Sequence, residues 1–441
     1  MIPRMEAATD FRCRPTGDAR AQLVKIPRVR LSVGRAPDTV RRIFYCRKAE
    51  RIHKMKKAIM YGGGNIGRGF IAQLFCLSGW ETVFVDVNTA LVDDMNTRHE
   101  YPIFITGAED YERFTVTNVR AVCGSDPDAV AEEIATADIM ATAVGANILK
   151  FIAEPIARGI KRRAELGGAP LNIIVCENLM DADKYLRSLI AEKLEGDAAA
   201  LDYLAHSVGI AEATIGRMVP AAPERIKALD PLAVCVEPYC ELPVDSAAFV
   251  GEIPELYAIK PFAPFDFYIR RKLFMHNMSH AVLAYLAKGK GYTYIWEAAG
   301  DYELRYKALG ALLEASEALS AEYGVEMGSL IDFSYELLSR FDNKLLGDTV
   351  DRVGRDTVRK LARADRLTGT ALLCMKHGIE PKFIREGMLA ALDFVADGDA
   401  SSAEVAAFAS KAGKRSAFVK YCGLDEKDEG DRALLDYLLE R

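Results

Sequence analysis

The 441-residue chain has no C-x-x-C pair among its nine cysteines, no apolar run of eighteen residues, and no internal repeat or low-complexity segment. Unpaired, scattered thiols argue against a structural zinc and suit buried cysteines in a reducing compartment. The missing apolar run excludes a membrane-spanning helix, and the first residues lack the apolar stretch of a secretory signal. Disorder is excluded by composition, because half of the residues are hydrophobic and the net charge is only −6. These values fit a soluble globular protein of two domains.

Charge is unevenly spread. Residues 1–54 hold fourteen Lys and Arg against five Asp and Glu, and the remainder is acidic. The segment has no helical or strand period and contains the turn material "RPTG" and "RAPD". An organelle transit peptide is poor in acids, whereas Glu6, Asp10, Asp18, Asp38 and Glu50 are spread through this one. A nucleic-acid-binding arm is the other functional alternative. The expectation is that residues 1–54 are a basic extension outside the fold, which begins at Met55, and that the protein is cytoplasmic with neither nucleic acid nor membrane as partner.

From Met55 the chain reads "MKKAIMYGGGNIGRGFIAQLF": a short apolar strand, a glycine cluster, then an amphipathic segment that suits a helix. Gly62, Gly64 and Gly67 stand at G-x-G-x-x-G spacing. The first permits the tight turn, the second lets backbone approach a pyrophosphate, and the third lets helix pack on strand. The following strand, "ETVFVDV", contains Asp86, nineteen residues after Gly67. A carboxylate there accepts from both ribose hydroxyls of an adenosine and repels a 2′-phosphate, so the predicted cofactor is NAD.

Two further apolar strands, "DIMATAV" and "LNIIVCEN", run into Gly145 and Asn178, and "DPDAVAEEIATA" between strands is a helix with Asp126 at its cap. Alternating strands and helices give an α/β fold with a doubly wound parallel sheet, whose ligands lie beyond the carboxyl ends of the strands. The expected cofactor set is Gly62, Gly64, Asn65, Ile66, Gly67, Asp86 and Gly145. Asn178 is a site candidate by the same placement, or else the cap of a helix starting near Asp181. From about Tyr268 the pattern becomes mostly α-helical. Prolines cluster between Pro220 and Pro264, and the boundary falls near Gly251, giving a Rossmann domain over 55–250 and a helical substrate domain over 251–441.

The helical part opens on "YIRRKLFMHNMSHAVLAYL". At about 100° per residue, Lys272, Asn277 and His280 fall within less than half of a helix circumference. A secondary alcohol losing hydride needs a base for its proton and donors for the alkoxide; a buried lysine supplies the first without metal, and Asn amides the second. The alternative is a solvated Lys272 and a core His280. His276 and His280 lie one turn apart without a third ligand, so no metal is expected.

Together "GGGNIGRGF", Asp86, "CEN" at 176–178, "DPLAVCVEP" at 230–238, K-x4-N-x2-H from Lys272, and "DTVDRVGRDTVRKL" from Asp348 resemble the polyol-specific long-chain dehydrogenases. The resemblance implies a Rossmann domain followed by a helical domain, and metal-free, NAD-dependent interconversion of a hexitol phosphate and fructose 6-phosphate by a monomer. It further implies that Lys272 is the general acid/base, that Asn178 and Asn277 hold the alkoxide, and that His280 orients a substrate hydroxyl. An unphosphorylated polyol or a hexuronate is the alternative substrate. The chain departs from the family pattern at Leu242, His276 and Ser279.

Arg352, Arg355, Arg359, Arg363 and Arg366 recur at three- and four-residue intervals, which predicts one basic helical face. Arg352, Arg355 and Arg359 are the candidate donors to a substrate phosphate. The competing reading is a solvated face paired with Asp351, Asp356 and Asp365.

Overall fold

The computed structural model describes residues 55–440 apart from 108 and 180. The expectations for residues 1–54 lie outside the described residues. Eleven strands are present among the described residues: β1 Lys57–Tyr61, β2 Glu81–Asp86, β3 Glu100–Thr106, β4 Tyr111–Thr117, β5 Val119–Cys123, β6 Ile139–Thr142, β7 Leu171–Val175, β8 Val208–Glu212, β9 Val234–Val236, β10 Leu242–Asp245 and β11 Ile259–Phe262. Six of them form a parallel sheet in the order β5-β2-β1-β6-β7-β8. The order reverses between β1 and β6, which opens a crevice at the carboxyl ends of the strands.

Both faces of this sheet are covered, which is why its strands read as unbroken apolar runs. Met60 and Phe84 pack on one side with Phe70 and Leu74. Their neighbours Ile59, Val83 and Val85 face the other, against Ile134, Ile152 and Ile156. The helix Pro127–Ala135 starts as its sequence demands, with Asp126 Oδ1 accepting from Ala129 N–H at 3.0 Å. The stretch 111–123 is not one hairpin. β3 and β4 pair antiparallel, but Asn118 turns the chain through a left-handed conformation (φ 57°), and β5 leaves to join β2 in the main sheet.

Beyond β11 the chain is helical from Asp266, around a separate core that includes Val282, Leu312 and Leu338. A buried ion pair ties the two parts: Arg340, in the helix Met327–Phe341, donates to both oxygens of Glu237, at 2.8 and 2.6 Å. Among the described residues no helix is long and apolar enough to cross a membrane.

Candidate active site

The glycine turn is shaped by contact rather than by flexibility. Gly62 has φ 104°, and a Cβ there would lie 2.5 Å from Ala143 O; a Cβ on Gly67 would lie 2.0 Å from Gly62 O. Gly64 faces open space, so its backbone is free to meet a ligand. Asp86, at the end of β2, accepts from Gly63 N–H at 2.7 Å and Asn88 N–H at 2.9 Å, which holds its carboxylate beside the turn. Arg68 serves this turn from behind: its Nε donates to Gly63 O at 2.6 Å. Gly145, φ 93°, follows β6, and Glu177 accepts from its N–H at 2.8 Å and from Val144 N–H at 2.9 Å. An open glycine backbone, free N–H groups on the turn after β1 and a carboxylate held beside that turn at the end of β2 fit NAD.

Next to this turn, at the carboxyl ends of β7 and β8, lies a cavity of 330 Å³ lined by Asn178, Lys272 and Asn277, with Glu177, Glu212, Thr214 and Asp365. Asn178 does not cap the following helix, whose N-cap is Asp181. The side chains of Asn178, Lys272 and Asn277 have no hydrogen-bond partner among the described residues, leaving their polar groups for a ligand. Burial, reinforced by Arg366, lowers the Lys272 pKa to about 8. A lysine poised there exchanges its proton near pH 8, serving as acid below that value and as base above it.

A regular α-helix does not account for this convergence. Lys272–Asn277 forms a π-turn between the helices Asp266–Arg271 and Met278–Gly289, with Lys272 and Asn277 at its two ends. A turn closed by i→i+5 bonds brings residues five apart onto one wall, and such turns gather at functional sites. The signal was present in the K-x4-N spacing, which a wheel of 100° per residue obscures.

His280 looks elsewhere. It lines a second cavity of 250 Å³ that adjoins the first at Asn277 and whose walls include Arg352, Arg355, Arg359, Lys360 and Arg366, with Asp356 among them. Its ring stacks on Phe341 at 4.7 Å, and its Nε2 lies 3.5 Å from Asp348 Oδ2 without hydrogen-bond geometry. Burial, then Arg352, pushes its pKa down to about 3, so the imidazole is neutral.

The arginines do not share one helical face. Two short helices, Val350–Gly354 and Thr357–Leu361, are separated by Arg355 and by Asp356, which adopts φ 64°. The broken path curls Arg352, Arg355, Arg359 and Arg366 around the cavity, and turns Arg363 away to Asp431 and Gly423 O. Arg352 is bonded to Asp348, Arg359 to Asp356, and Arg366 to Asp365 at 2.7 Å. Arg355 has no ion-pair partner among the described residues. Lys360 is buried with its ammonium on Arg355 O, and burial with Arg366 and Arg359 lowers it to about 8. Asp351, the other expected partner, pairs with Lys288 at 2.6 Å. Lys360, Glu177 and Glu212 were not singled out in the sequence; their signal lay in flanking a recognised residue or closing a strand.

Two family models match the chain, the mannitol dehydrogenase Rossmann domain over residues 56–258 and the mannitol dehydrogenase C-terminal domain over 265–417. The chain belongs to the mannitol dehydrogenase family. It is 41% identical to the mannitol-1-phosphate 5-dehydrogenase of Brevibacillus brevis over 79% of this chain and 89% of that protein. With the enzyme of the same name from Oceanobacillus iheyensis it shares 37% identity over 84% and 95%. Among solved structures, a substrate-free D-sorbitol dehydrogenase superposes with a TM-score of 0.72 at 17% identity, covering 87% of this chain and 92% of that one. The ternary complex of Pseudomonas fluorescens mannitol 2-dehydrogenase gives 0.60 at 15% identity, over 87% and 94%. These two likenesses show the fold. The family assignment makes the chain a dehydrogenase, with its cofactor turn in the parallel-sheet half.

Proposed function

We propose that this chain interconverts mannitol 1-phosphate and fructose 6-phosphate with NAD and without a metal. The observation that carries the reading is the adjacency of the two cavities: Asn277 borders both the one around Lys272 and the basic one around Arg355 and Arg366. A hexitol phosphate needs both, a place for alcohol chemistry and a place for a dianion, joined within the length of one six-carbon chain. The relatives named mannitol-1-phosphate 5-dehydrogenase support the same choice.

In the oxidation, neutral Lys272 accepts the proton of the reacting hydroxyl, and the amide N–H groups of Asn178 and Asn277 donate to the oxygen as it becomes an alkoxide. NAD held at the turn after β1 and by Asp86 would supply the acceptor for the hydride of the same carbon. In the reverse direction the Lys272 ammonium returns the proton to the carbonyl oxygen. Neutral His280, in the basic cavity beside Asn277, offers a ring nitrogen to a substrate hydroxyl there. Arg352, Arg355 and Arg359, with Lys360 and Arg366, hold the phosphate by charge-assisted bonds. In this reading residues 55–250 carry the cofactor and residues 251–441 carry the lysine and the phosphate site, with Asn178 reaching across. A cytoplasmic monomer acting on a small sugar phosphate is part of the proposal, supported by the family resemblance.

The test is oxidation of NADH by purified protein with fructose 6-phosphate, fructose and a keto-uronate in parallel. Turnover is expected with fructose 6-phosphate. Turnover with fructose or the keto-uronate alone would overturn the phosphate reading.

A further inference from the structure

Three carboxylates line the cavity around Lys272: Glu177, Asp365 and Glu212. Two of them already have partners. Glu177 accepts from Val144 and Gly145 N–H, and Asp365 accepts from Arg366. Glu212, the last residue of β8, is half-buried and has no hydrogen-bond or ion-pair partner among the described residues. The one cation acting on it is Lys184, itself paired with Asp181, while Asp183, Asp181 and Asp245 add like charge. The cleft is therefore polarised, with an acidic wall in the cavity that holds Lys272 and cations around the one it adjoins at Asn277.

A polarised cleft orients a polarised substrate. In fructose 6-phosphate the phosphate is at one end of the carbon chain, and the carbonyl carbon is next to the other end. With the phosphate in the basic cavity and the carbonyl at Lys272, a single hydroxymethyl group extends beyond the reacting carbon toward the acidic wall. A carboxylate without a partner accepts a hydrogen bond from that hydroxyl and repels an anion in its place. We propose that Glu212 is a specificity-determining residue, which receives the terminal hydroxymethyl of the substrate and excludes sugar phosphates that carry a second anionic group at that end. The inference rests on the hexitol phosphate reading and adds to it a rule about the non-phosphorylated end.

Glucitol 6-phosphate and 6-phosphogluconate form a matched pair of probes, differing only in a hydroxymethyl or a carboxylate at that end. Each is to be titrated as a competitive inhibitor of fructose 6-phosphate reduction by the wild-type enzyme and by Glu212→Gln. The measurement is made at pH 8, because burial and then Asp183 raise the Glu212 carboxyl to about 7 and leave it mostly ionised there. Wild-type enzyme is expected to bind 6-phosphogluconate roughly tenfold or more weakly than glucitol 6-phosphate. Glu212→Gln should narrow the ratio to about threefold or less while retaining turnover. An unchanged ratio in the variant, or equal binding of both probes by wild type, would overturn the proposal. So would loss of turnover in Glu212→Gln on the scale of a missing base, which would place the carboxyl in proton transfer. Failure of wild type to reduce fructose 6-phosphate at all would remove the function reading and this inference together, whereas an unchanged ratio in an active enzyme removes this inference alone.

Discussion

The two adjoining cavities are built by opposite means. The one around Lys272 is framed by the ends of regular strands and a π-turn, and burial of the ammonium is the largest influence on it, lowering the lysine to about 8. The basic cavity is framed by short, interrupted helices, and three of its cations, Arg352, Arg359 and Arg366, are tied to Asp348, Asp356 and Asp365. The first environment tunes one group for proton transfer; the second concentrates many groups for recognition. The contrast means that substitutions in the first should depress chemistry with any sugar, while substitutions in the second should discriminate between sugars.

The largest effect is expected from Lys272→Ala, which should lower turnover with fructose 6-phosphate and with fructose alike by about 10²- to 10⁴-fold. NADH affinity, read by fluorescence titration, should be nearly unchanged because the lysine lies outside the cofactor turn. A variant retaining most of its activity would remove Lys272 from the chemistry. Next, Arg355→Met should weaken kcat/KM for fructose 6-phosphate by roughly 1.5 to 3 kcal/mol and leave fructose almost untouched. Arg355 is the cleanest choice among the arginines, since it has no ion-pair partner among the described residues. Equal losses with both sugars would assign it to packing instead.

Asp86→Ala should weaken NAD binding and reduce the preference over NADP, through loss of the ribose acceptor and of the bond to Gly63 N–H. Wild-type enzyme using NADPH as readily as NADH would contradict that assignment. The smallest effect is expected from Arg363→Met. Its guanidinium bonds to Asp431 and Gly423 O, so the kinetics with either sugar should stay within about twofold of wild type. A selective loss with fructose 6-phosphate would mean that the cavity extends further than its walls indicate.

How much of this was legible in the sequence depends on how local each feature is. The glycine turn, Asp86 and the capped helix at Asp126 are set by neighbours in the chain, and the spacing alone places them. Asn178 was visible as a strand end, but its competing role as a cap was resolved only by the left-handed Asp181 that starts the helix itself. The arginine segment was misread as one helix because a three-to-four residue recurrence survives an interruption. The clue was "VGRD", where Asp356 is one of the few non-glycine residue types that tolerate φ above zero. Lys360 and Arg366 join the cavity because of that break. Glu212 has only the weak signature of closing a strand, since Lys272, Asn277 and Asp365, which share its cavity, lie 60 or more residues away along the chain.

The central claim is that a buried lysine of lowered pKa moves the proton, and its most direct test is kcat/KM against pH in both directions. Neutral Lys272 is required to oxidise the alcohol and the ammonium to reduce the ketone. Oxidation of mannitol 1-phosphate should therefore rise through about pH 8, and reduction of fructose 6-phosphate should fall through the same region. Mirror-image profiles that lose this break in Lys272→Ala are the predicted result. Profiles flat through this region, or bending the same way in both directions, would contradict it.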